Sequence, residues 1–320
     1  MNKILTNFHR GSIVESSHKI KALITRLNGE ILLSTNNQND LIYPRSSIKI
    51  FQAIPFIVSK ADIKYKLNKK QLALACSSQR GQSYHLAELN DWIKKINISK
   101  NKLKCGLHNP LNKNASEIFL RSNKKLDSLY NNCAGKHLAM LSSCLVKRQD
   151  LKSYLDFNHP HQKAIRNIFN IFSETSLRDH NYAIDGCSAP QYSFKIKSLL
   201  VLLNNLLKSY KNKFEYSYET NKLLDAILNN PKFIGGSDSL DSNIIAISEK
   251  NIFCKGGAEG VFLFIHLKKE IVGIIKVTDG NERALPSAIY NIFKKLNIMK
   301  KSELSRLYKW GEFIINNHAN

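Results

Sequence analysis

The sequence predicts an α+β fold: an antiparallel sheet built from the N- and C-terminal segments, flanked by helices, with a helical subdomain inserted between them. Strand patterns occupy the first fifty residues, helical spacing runs through the middle, and strand patterns return after Gly235-Gly236. We place the sheet subdomain at 1–60 and 235–320 and the mainly helical subdomain at 61–234, as one compact unit.

The N-terminal segment reads as a β-hairpin. Val14 to Arg26 carries apolar residues at alternate positions, Asn28-Gly29 is a turn signal, and Glu30 to Ser34 returns as a short strand. The loop Pro44-Arg45-Ser46 then opens a helix predicted from Ser46 to Val58.

The middle and the end of the chain supply the other elements. Apolar steps of three and four residues predict helices over Leu86–Ile96, Ala139–Phe157 and Ser198–Tyr210, and His159-Pro160 begins another. We predict strands at Ile244–Ile247, Gly260–Leu267 and Ile271–Val277, then helices at Ala284–Ile298 and Glu303–Ile315.

Composition excludes several classes of protein. Apolar residues make up 43% of 320, and no run is long enough to span a membrane. The first eleven residues hold no apolar h-region, so we expect no signal peptide. Six cysteines without a C-x-x-C pair are expected to be reduced thiols in the cytoplasm.

The net charge of +23 does not by itself predict a nucleic-acid partner. The lysines are scattered along the whole chain, and no RNP pattern, zinc-finger spacing or Arg-rich arm accompanies them. We therefore do not expect nucleic-acid binding.

A Ser-x-x-Lys pair stands at a predicted helix start. Ser46 and Lys49 are three residues apart, so they project from the same helix face, and a neutral lysine amine there can take a hydroxyl proton. Ser47 fits a helix cap and is also the rival to Ser46 as the functional residue.

Two later segments extend this pattern. Ser78 follows an apolar run at a probable turn, and Lys255-Gly256-Gly257 precedes a late strand. Serine-lysine acyl-transfer enzymes such as penicillin-binding proteins carry S-x-x-K, a turn serine and a K-[TS]-G segment in this order.

Reactive side chains also cluster around glycines, in Asn132-Cys133-Ala134-Gly135-Lys136-His137 and in Asp185-Gly186-Cys187. Such stretches typically place reactive or metal-binding groups on a bent backbone. With these, the whole series resembles the Rhizobium etli-type (thermolabile) L-asparaginase II family. The further segments that carry the resemblance are Arg10-Gly11, Val14-Glu15-Ser16, His18, Cys105-Gly106-Leu107-His108, Lys255 to Val261, Asp279-Gly280 and Arg283-Ala284.

The resemblance implies a fold similar to serine β-lactamases and glutaminases, and it implies the roles of particular residues. It implies two catalytic Ser-Lys pairs, Ser46 with Lys49 and Ser78 with Lys255. It implies a zinc site at Cys133, Lys136 and Cys187, and it places Arg45, His137 and Asp185 near the substrate. Two thiolates and an amine form a credible soft donor set for zinc.

The implied reaction is hydrolysis of L-asparagine to aspartate and ammonia through an acyl-enzyme, by a cytoplasmic homodimer. A glutaminase or Ser-Lys peptidase on the same fold and a catalytically inactive binding homologue remain alternatives. The chain departs from the family pattern after Ser78, with Gln79, Arg80 and Gln82, and again at Ser237 to Ser242, where the family usually has an arginine before an Asp-Thr step. These departures bear on efficiency and on the preference for asparagine over glutamine.

Overall fold

The structure is a computed structural model that describes residues 4–177 and 181–307. Its strands are β1 (Ile4–Arg10), β2 (Ile13–Arg26), β3 (Ile31–Ser34), β4 (Leu41–Ile42), β5 (Tyr182–Ile184), β6 (Pro190–Tyr192), β7 (Phe194–Lys195), β8 (Ile252–Gly257), β9 (Val261–His266) and β10 (Ile271–Val277).

The helices are α1 (Lys49–Val58), α2 (Ala61–Lys64), α3 (Lys69–Ala75), α4 (Ser83–Ile96), α5 (Lys113–Leu120), α6 (Ala134–Lys147), α7 (Pro160–Ser173), α8 (Ile196–Tyr210), α9 (Ser217–Asn229), α10 (Lys232–Gly235), α11 (Leu240–Ile247), α12 (Ala284–Lys295) and α13 (Lys301–Arg306). Short 3-10 turns lie at Arg45–Ile48, Lys100–Lys102 and Ser128–Tyr130. Within the described ranges, no helix has the length and apolarity needed to cross a bilayer.

One antiparallel sheet joins the two ends of the chain, in the order β1-β2-β10-β9-β8, with β3 also paired to β2. The central pairing of β2 with β10 places Ile20 opposite Val277 and Ile24 opposite Gly273. The predicted fold class, a sheet shared by the N- and C-terminal segments with helices between them, is confirmed.

Both faces of this sheet are covered. Every residue of β9 is buried, which requires packing on each side of the strand. Phe293 of α12 packs against Phe264, with 4.8 Å between ring centroids, while α8 lies against β10. The leucine-rich character of α8 follows from its place between the sheet and α7.

One predicted strand is wrong. Ile244–Ile247 lies in helix α11, where the Ser239 Oγ accepts a hydrogen bond from the Ser242 N–H and so caps the first turn. The strand instead follows at Ile252–Gly257. A run of four apolar residues fits either element, and the serine cap decided for a helix.

Other boundaries also differ from the predicted ones, most of all at the end of α6. The helix predicted over Ala139–Phe157 begins at Ala134 and ends at Lys147, because Arg148 adopts a left-handed conformation with φ 53°. The helix predicted from Ser46 begins with a 3-10 turn, so α1 starts at Lys49. Part of the predicted helix Glu303–Ile315 is α13, and residues 308–320 lie outside the described residues.

Candidate active site

The turn before α1 places the two candidate serines, Ser46 and Ser47, in different environments. The Ser47 hydroxyl is buried and donates a hydrogen bond to the Pro44 carbonyl at 2.6 Å. Ser46 is half-buried, and its hydroxyl forms no hydrogen bond with any residue in the described ranges. Ser47 therefore stabilises the turn, and Ser46 keeps an unengaged hydroxyl.

Lys49 extends from the start of α1 into the protein interior. Its side chain is 0% exposed. Its Nζ donates to the Ser77 carbonyl at 2.5 Å and lies 3.2 Å from the Ser78 Oγ. The structure thus joins the Lys49 amine to Ser78, and no hydrogen bond between described atoms joins that amine to Ser46. Lys49 meets Ser46 through its backbone N–H, which donates to the Ser46 carbonyl.

The surroundings of Lys49 favour its neutral form. Burial lowers the pKa of Lys49, since the ammonium loses its hydration. A neutral amine has two N–H groups and one lone pair, so it can donate to a carbonyl and accept a proton from a hydroxyl. Lys49 has a carbonyl partner at Ser77 and a hydroxyl partner at Ser78, and this arrangement suits a general base.

Ser78 is held where two helices meet. Its N–H donates to the Ile234 carbonyl at 2.7 Å, just after α3 ends. Helix α6 approaches α3 so closely that a Cβ on Gly135 would lie 2.0 Å from the Leu74 carbonyl oxygen. Glycine at 135 therefore allows the first turn of α6 to pack against α3, the helix that ends just before Ser78.

Lys255, at the end of β8, pairs with a carboxylate. Its Nζ lies 2.9 Å from Asp241 Oδ2, and the side chain of Lys255 is buried. The structure places Lys255 with Asp241, and the described hydrogen bonds do not join it to Ser78. The two glycines that follow allow close packing, since a Cβ on Gly257 would lie 2.4 Å from the Pro44 carbonyl oxygen.

Sequence reasoning missed Asp241 because it lies in the polar stretch before the wrongly predicted strand. A helix-start pattern of Ser239 followed by an acid in the first turn was the signal that could have found it.

Arg45 and Asp185 form an ion pair beside Ser46. The Arg45 Nε and Nη2 atoms lie 2.9 Å and 2.8 Å from Asp185 Oδ1. Asp185 follows β5 in a tight turn, in which its N–H donates to the Ala189 carbonyl at 2.9 Å. One positive and one negative group thus stand together next to the unengaged Ser46 hydroxyl.

The Cys133, Lys136 and Cys187 side chains converge in a buried sulfur centre. The Lys136 Nζ lies 3.0 Å from the Cys187 Sγ. A hydrogen bond between the two thiols lowers the pKa of Cys187 and raises that of Cys133. Burial is the largest single influence on the pKa of Lys136 and lowers it, but Cys187, Cys133 and Asp185 together outweigh burial and raise that pKa.

His137 lies next to this centre and is oriented by Tyr154. Its Nδ1 lies 2.6 Å from the Tyr154 hydroxyl oxygen, which also accepts a hydrogen bond from the Lys104 N–H at 2.9 Å. The His137 Nε2 is buried and has no hydrogen-bond partner among the described residues. Tyr154 is a second residue that the sequence motifs did not reveal.

Comparison with known proteins identifies the family. The sequence matches the family model of L-asparaginase II over residues 6–320. The chain belongs to the L-asparaginase II family. This membership supports an asparaginase-type amide hydrolase, a class that acts on small-molecule amides.

Comparisons with curated sequences and with solved structures gave no match and a distant match, respectively. No curated protein sequence matches the chain. Among solved structures, the crystal structure of a "putative beta-lactamase" from Bacteroides dorei DSM 17855 is similar, with 9% identity, a TM-score of 0.45, and coverage of 88% of this chain and 94% of that one. The antiparallel sheet and the helices inserted between its strands, rather than this similarity, define the fold.

The donor set expected from the L-asparaginase II resemblance fits a soft divalent metal. Two thiols and an amine face one another, and the unpartnered Nε2 of His137 lies on the neighbouring residue. No group of three His, Cys, Asp or Glu side chains in the described part of the chain could hold a metal ion. A metal here therefore requires the lysine amine as its third protein ligand.

Two stretches differ from the pattern expected for L-asparaginase II, the residues after Ser78 and the segment Ser237 to Ser242, and these stretches contact each other. Gln79 is buried and its amide donates to the carbonyls of Leu129 and Asn131, at 2.9 Å and 2.7 Å, so it fastens the loop that precedes Cys133. Gln82 donates to the Ser237 Oγ at 2.9 Å. Arg80 Nη1 likewise lies 3.6 Å from Asp238 Oδ2. The two altered stretches thus form a single interface.

Proposed function

We propose that this protein hydrolyses the side-chain amide of L-asparagine to L-aspartate and ammonia through a serine acyl-enzyme. The observation that carries the proposal is the buried Lys49 amine, which has only neutral hydrogen-bond partners, touches the Ser78 hydroxyl and lies one turn from Ser46.

The substrate would be held beside Ser46 by complementary charge. Arg45 pairs with the α-carboxylate of asparagine and Asp185 with its α-ammonium, each exchanging its present partner for the substrate. His137 interacts with Cys187 of the sulfur centre, and from this position it would assist in orienting the substrate.

The chemistry then uses Lys49 as the base. The Ser46 oxygen attacks the amide carbon while its proton passes to the Lys49 amine, and the resulting oxyanion collapses. The C–N bond breaks, and the nitrogen takes a proton and leaves as ammonia, with Ser78 as the relaying hydroxyl. Water then attacks the ester, releases aspartate and returns the proton to Ser46.

We also propose that Cys133, Lys136 and Cys187 hold a zinc ion. Bound zinc would supply electrostatic anchoring of the substrate, while the proton transfers stay with Lys49 and the serines. The thiolates and the lysine amine must lose their protons on binding, so zinc affinity is expected to rise with pH.

A side-by-side assay tests the substrate. Ammonia release from L-asparagine is expected to exceed release from L-glutamine, and no cleavage of a D-Ala-D-Ala peptide is expected. Ammonia from glutamine alone would favour a glutaminase. Absence of any turnover, together with steeply salt-dependent retardation of nucleic acid in a mobility-shift titration, would favour the inactive binding homologue.

A further inference from the structure

Lys49 and Lys255, two of the buried lysines of the site, have different partners. Lys49 touches a carbonyl oxygen and a hydroxyl, both uncharged. Lys255 lies 2.9 Å from the Asp241 carboxylate and 3.0 Å from the Gly256 carbonyl oxygen. A buried amine that faces a carboxylate keeps its proton, whereas one that faces only neutral groups tends to lose it.

Several interactions hold the Asp241 carboxylate in place. Its Oδ2 also accepts a hydrogen bond from the Gly256 N–H at 2.9 Å, and Asp241 lies in the first turn of α11, where the helix dipole favours an anion. Side-chain exposure is 4% for Lys255 and 13% for Asp241. This is therefore an enclosed pair and not one of the weak ion pairs of a protein surface.

Building on the proposed function, we propose that Asp241 is a positioning residue that fixes Lys255 as an ammonium and so leaves Lys49 as the lysine that takes the serine proton. Lys255 then acts as a fixed positive charge, suited to stabilising the oxyanion of the tetrahedral intermediate, and not as a second base.

The charge of Lys255 also bears on Lys49. Burial is the main cause that lowers the pKa of Lys49, and the ammonium of Lys255 acts in the same direction. The other titratable groups that influence Lys49 are Cys133 and Cys187, which raise its pKa, and Lys136, which lowers it. Removing the anion that holds Lys255 thus disturbs both lysines.

A double-mutant cycle in kcat tests the proposal. Asp241→Asn and Lys255→Met are each expected to lower kcat by about 100-fold or more, the scale of losing a group that stabilises the oxyanion, with little change in KM. Because Asp241 acts through Lys255, the double variant should be no slower than Lys255→Met alone. Losses that multiply, or an unchanged kcat in Asp241→Asn, would overturn the proposal.

Urea unfolding of the same variants gives a readout that needs no substrate. Asp241→Asn leaves a buried ammonium without an anion, so its unfolding midpoint should fall, and adding Lys255→Met should restore the midpoint. The matched control is Asp238→Asn, an identical change three residues away, which should alter neither kcat nor the midpoint appreciably. Independent effects of Asp241→Asn and Lys255→Met on the midpoint would contradict the pairing.

Failure of the proposed asparaginase activity can be distinguished from failure of the proposed role of Asp241. If the wild type released ammonia from no amide while a fluorophosphonate probe still labelled a serine, the asparaginase proposal would fall alone. Labelling rates would then replace kcat in the cycle, with the same expected non-additivity supporting the role of Asp241 and multiplicative losses refuting it.

Discussion

The Lys49 Nζ lies 3.2 Å from the Ser78 Oγ, although the two residues are 29 positions apart in the chain. Lys49 enters from the start of α1, and Ser78 follows the end of α3. Their contact creates a buried amine beside a hydroxyl, with the Ser46 hydroxyl one turn away.

Removing the proposed attacking hydroxyl should abolish turnover without unfolding the protein. Ser46→Ala is expected to lower kcat by about 10⁴-fold or more, as loss of a nucleophile does, with the free energy of unfolding changed by less than about 0.5 kcal/mol. Ser47→Ala is the matched control: it should retain activity and lose about 1 kcal/mol of stability with the hydrogen bond to Pro44. Fluorophosphonate labelling of Ser78 in the wild type, found by peptide mapping, would transfer the nucleophile to Ser78.

Lys49→Met should inactivate the enzyme yet stabilise it. Because burial lowers the pKa of Lys49, the unfolded chain binds a proton that the folded chain does not as pH falls below about 10.4. Wild-type stability is therefore lost as pH falls through that value, and the variant should be more stable at neutral pH by about 1–3 kcal/mol. Urea titrations at several pH values measure this difference, which should shrink towards alkaline pH; a variant less stable than the wild type at pH 7 would contradict a neutral Lys49.

The close approach of α6 to α3 should tolerate no side chain at position 135. Gly135→Ala places a Cβ against the Leu74 carbonyl and is expected to cost about 1–3 kcal/mol and much of the activity, because the first turn of α6 must move. Gly186→Ala is the control for stability, since a Cβ there meets nothing within 4 Å. Thermal or urea unfolding compares the two, and equal stability of both variants would refute the tight packing.

The sulfur centre predicts metal content. Cys187→Ala should reduce the zinc bound per chain and weaken the affinity for zinc. Loss of a residue that only hydrogen-bonds a metal ligand typically weakens affinity by about 10–100-fold, and loss of a ligand itself should weaken it more. Cys144→Ala removes a buried thiol that lies within α6 and outside the sulfur centre, and it should leave the zinc content unchanged. Elemental analysis after dialysis against a chelator decides, and equal zinc in the two variants would remove the metal assignment.

Tyr154 should prove important through His137. Tyr154→Phe deprives the Lys104 N–H and the His137 Nδ1 of a partner, and about 1–3 kcal/mol of stability should be lost. A raised KM is expected with a smaller change in kcat, because the proposed function gives His137 a role in orienting the substrate. Tyr210→Phe, at the end of α8, serves as the control; a Tyr154→Phe enzyme with wild-type KM would show that Tyr154 is structural only.

The sequence predicted the parts of the fold that depend on local pattern. The alternation in β2, the turn at Asn28-Gly29 and the proline-marked start of α7 each specify one element through short-range physics. The prediction failed at Ile244–Ile247, where four apolar residues carry no decisive period. It also left β1 unpredicted, since only Thr6 and Phe8 of that strand are buried.

The sequence by itself determined which side chains are available for chemistry: lysines, serines, thiols and an oppositely charged pair. Only the tertiary structure decided the partners of each lysine. Lys49 meets Ser78 because α1 packs beside the end of α3, and Lys255 meets Asp241 because α11 begins next to β8. An amine's protonation depends on the nearest charges and on burial, and both are set by packing between segments far apart in the chain.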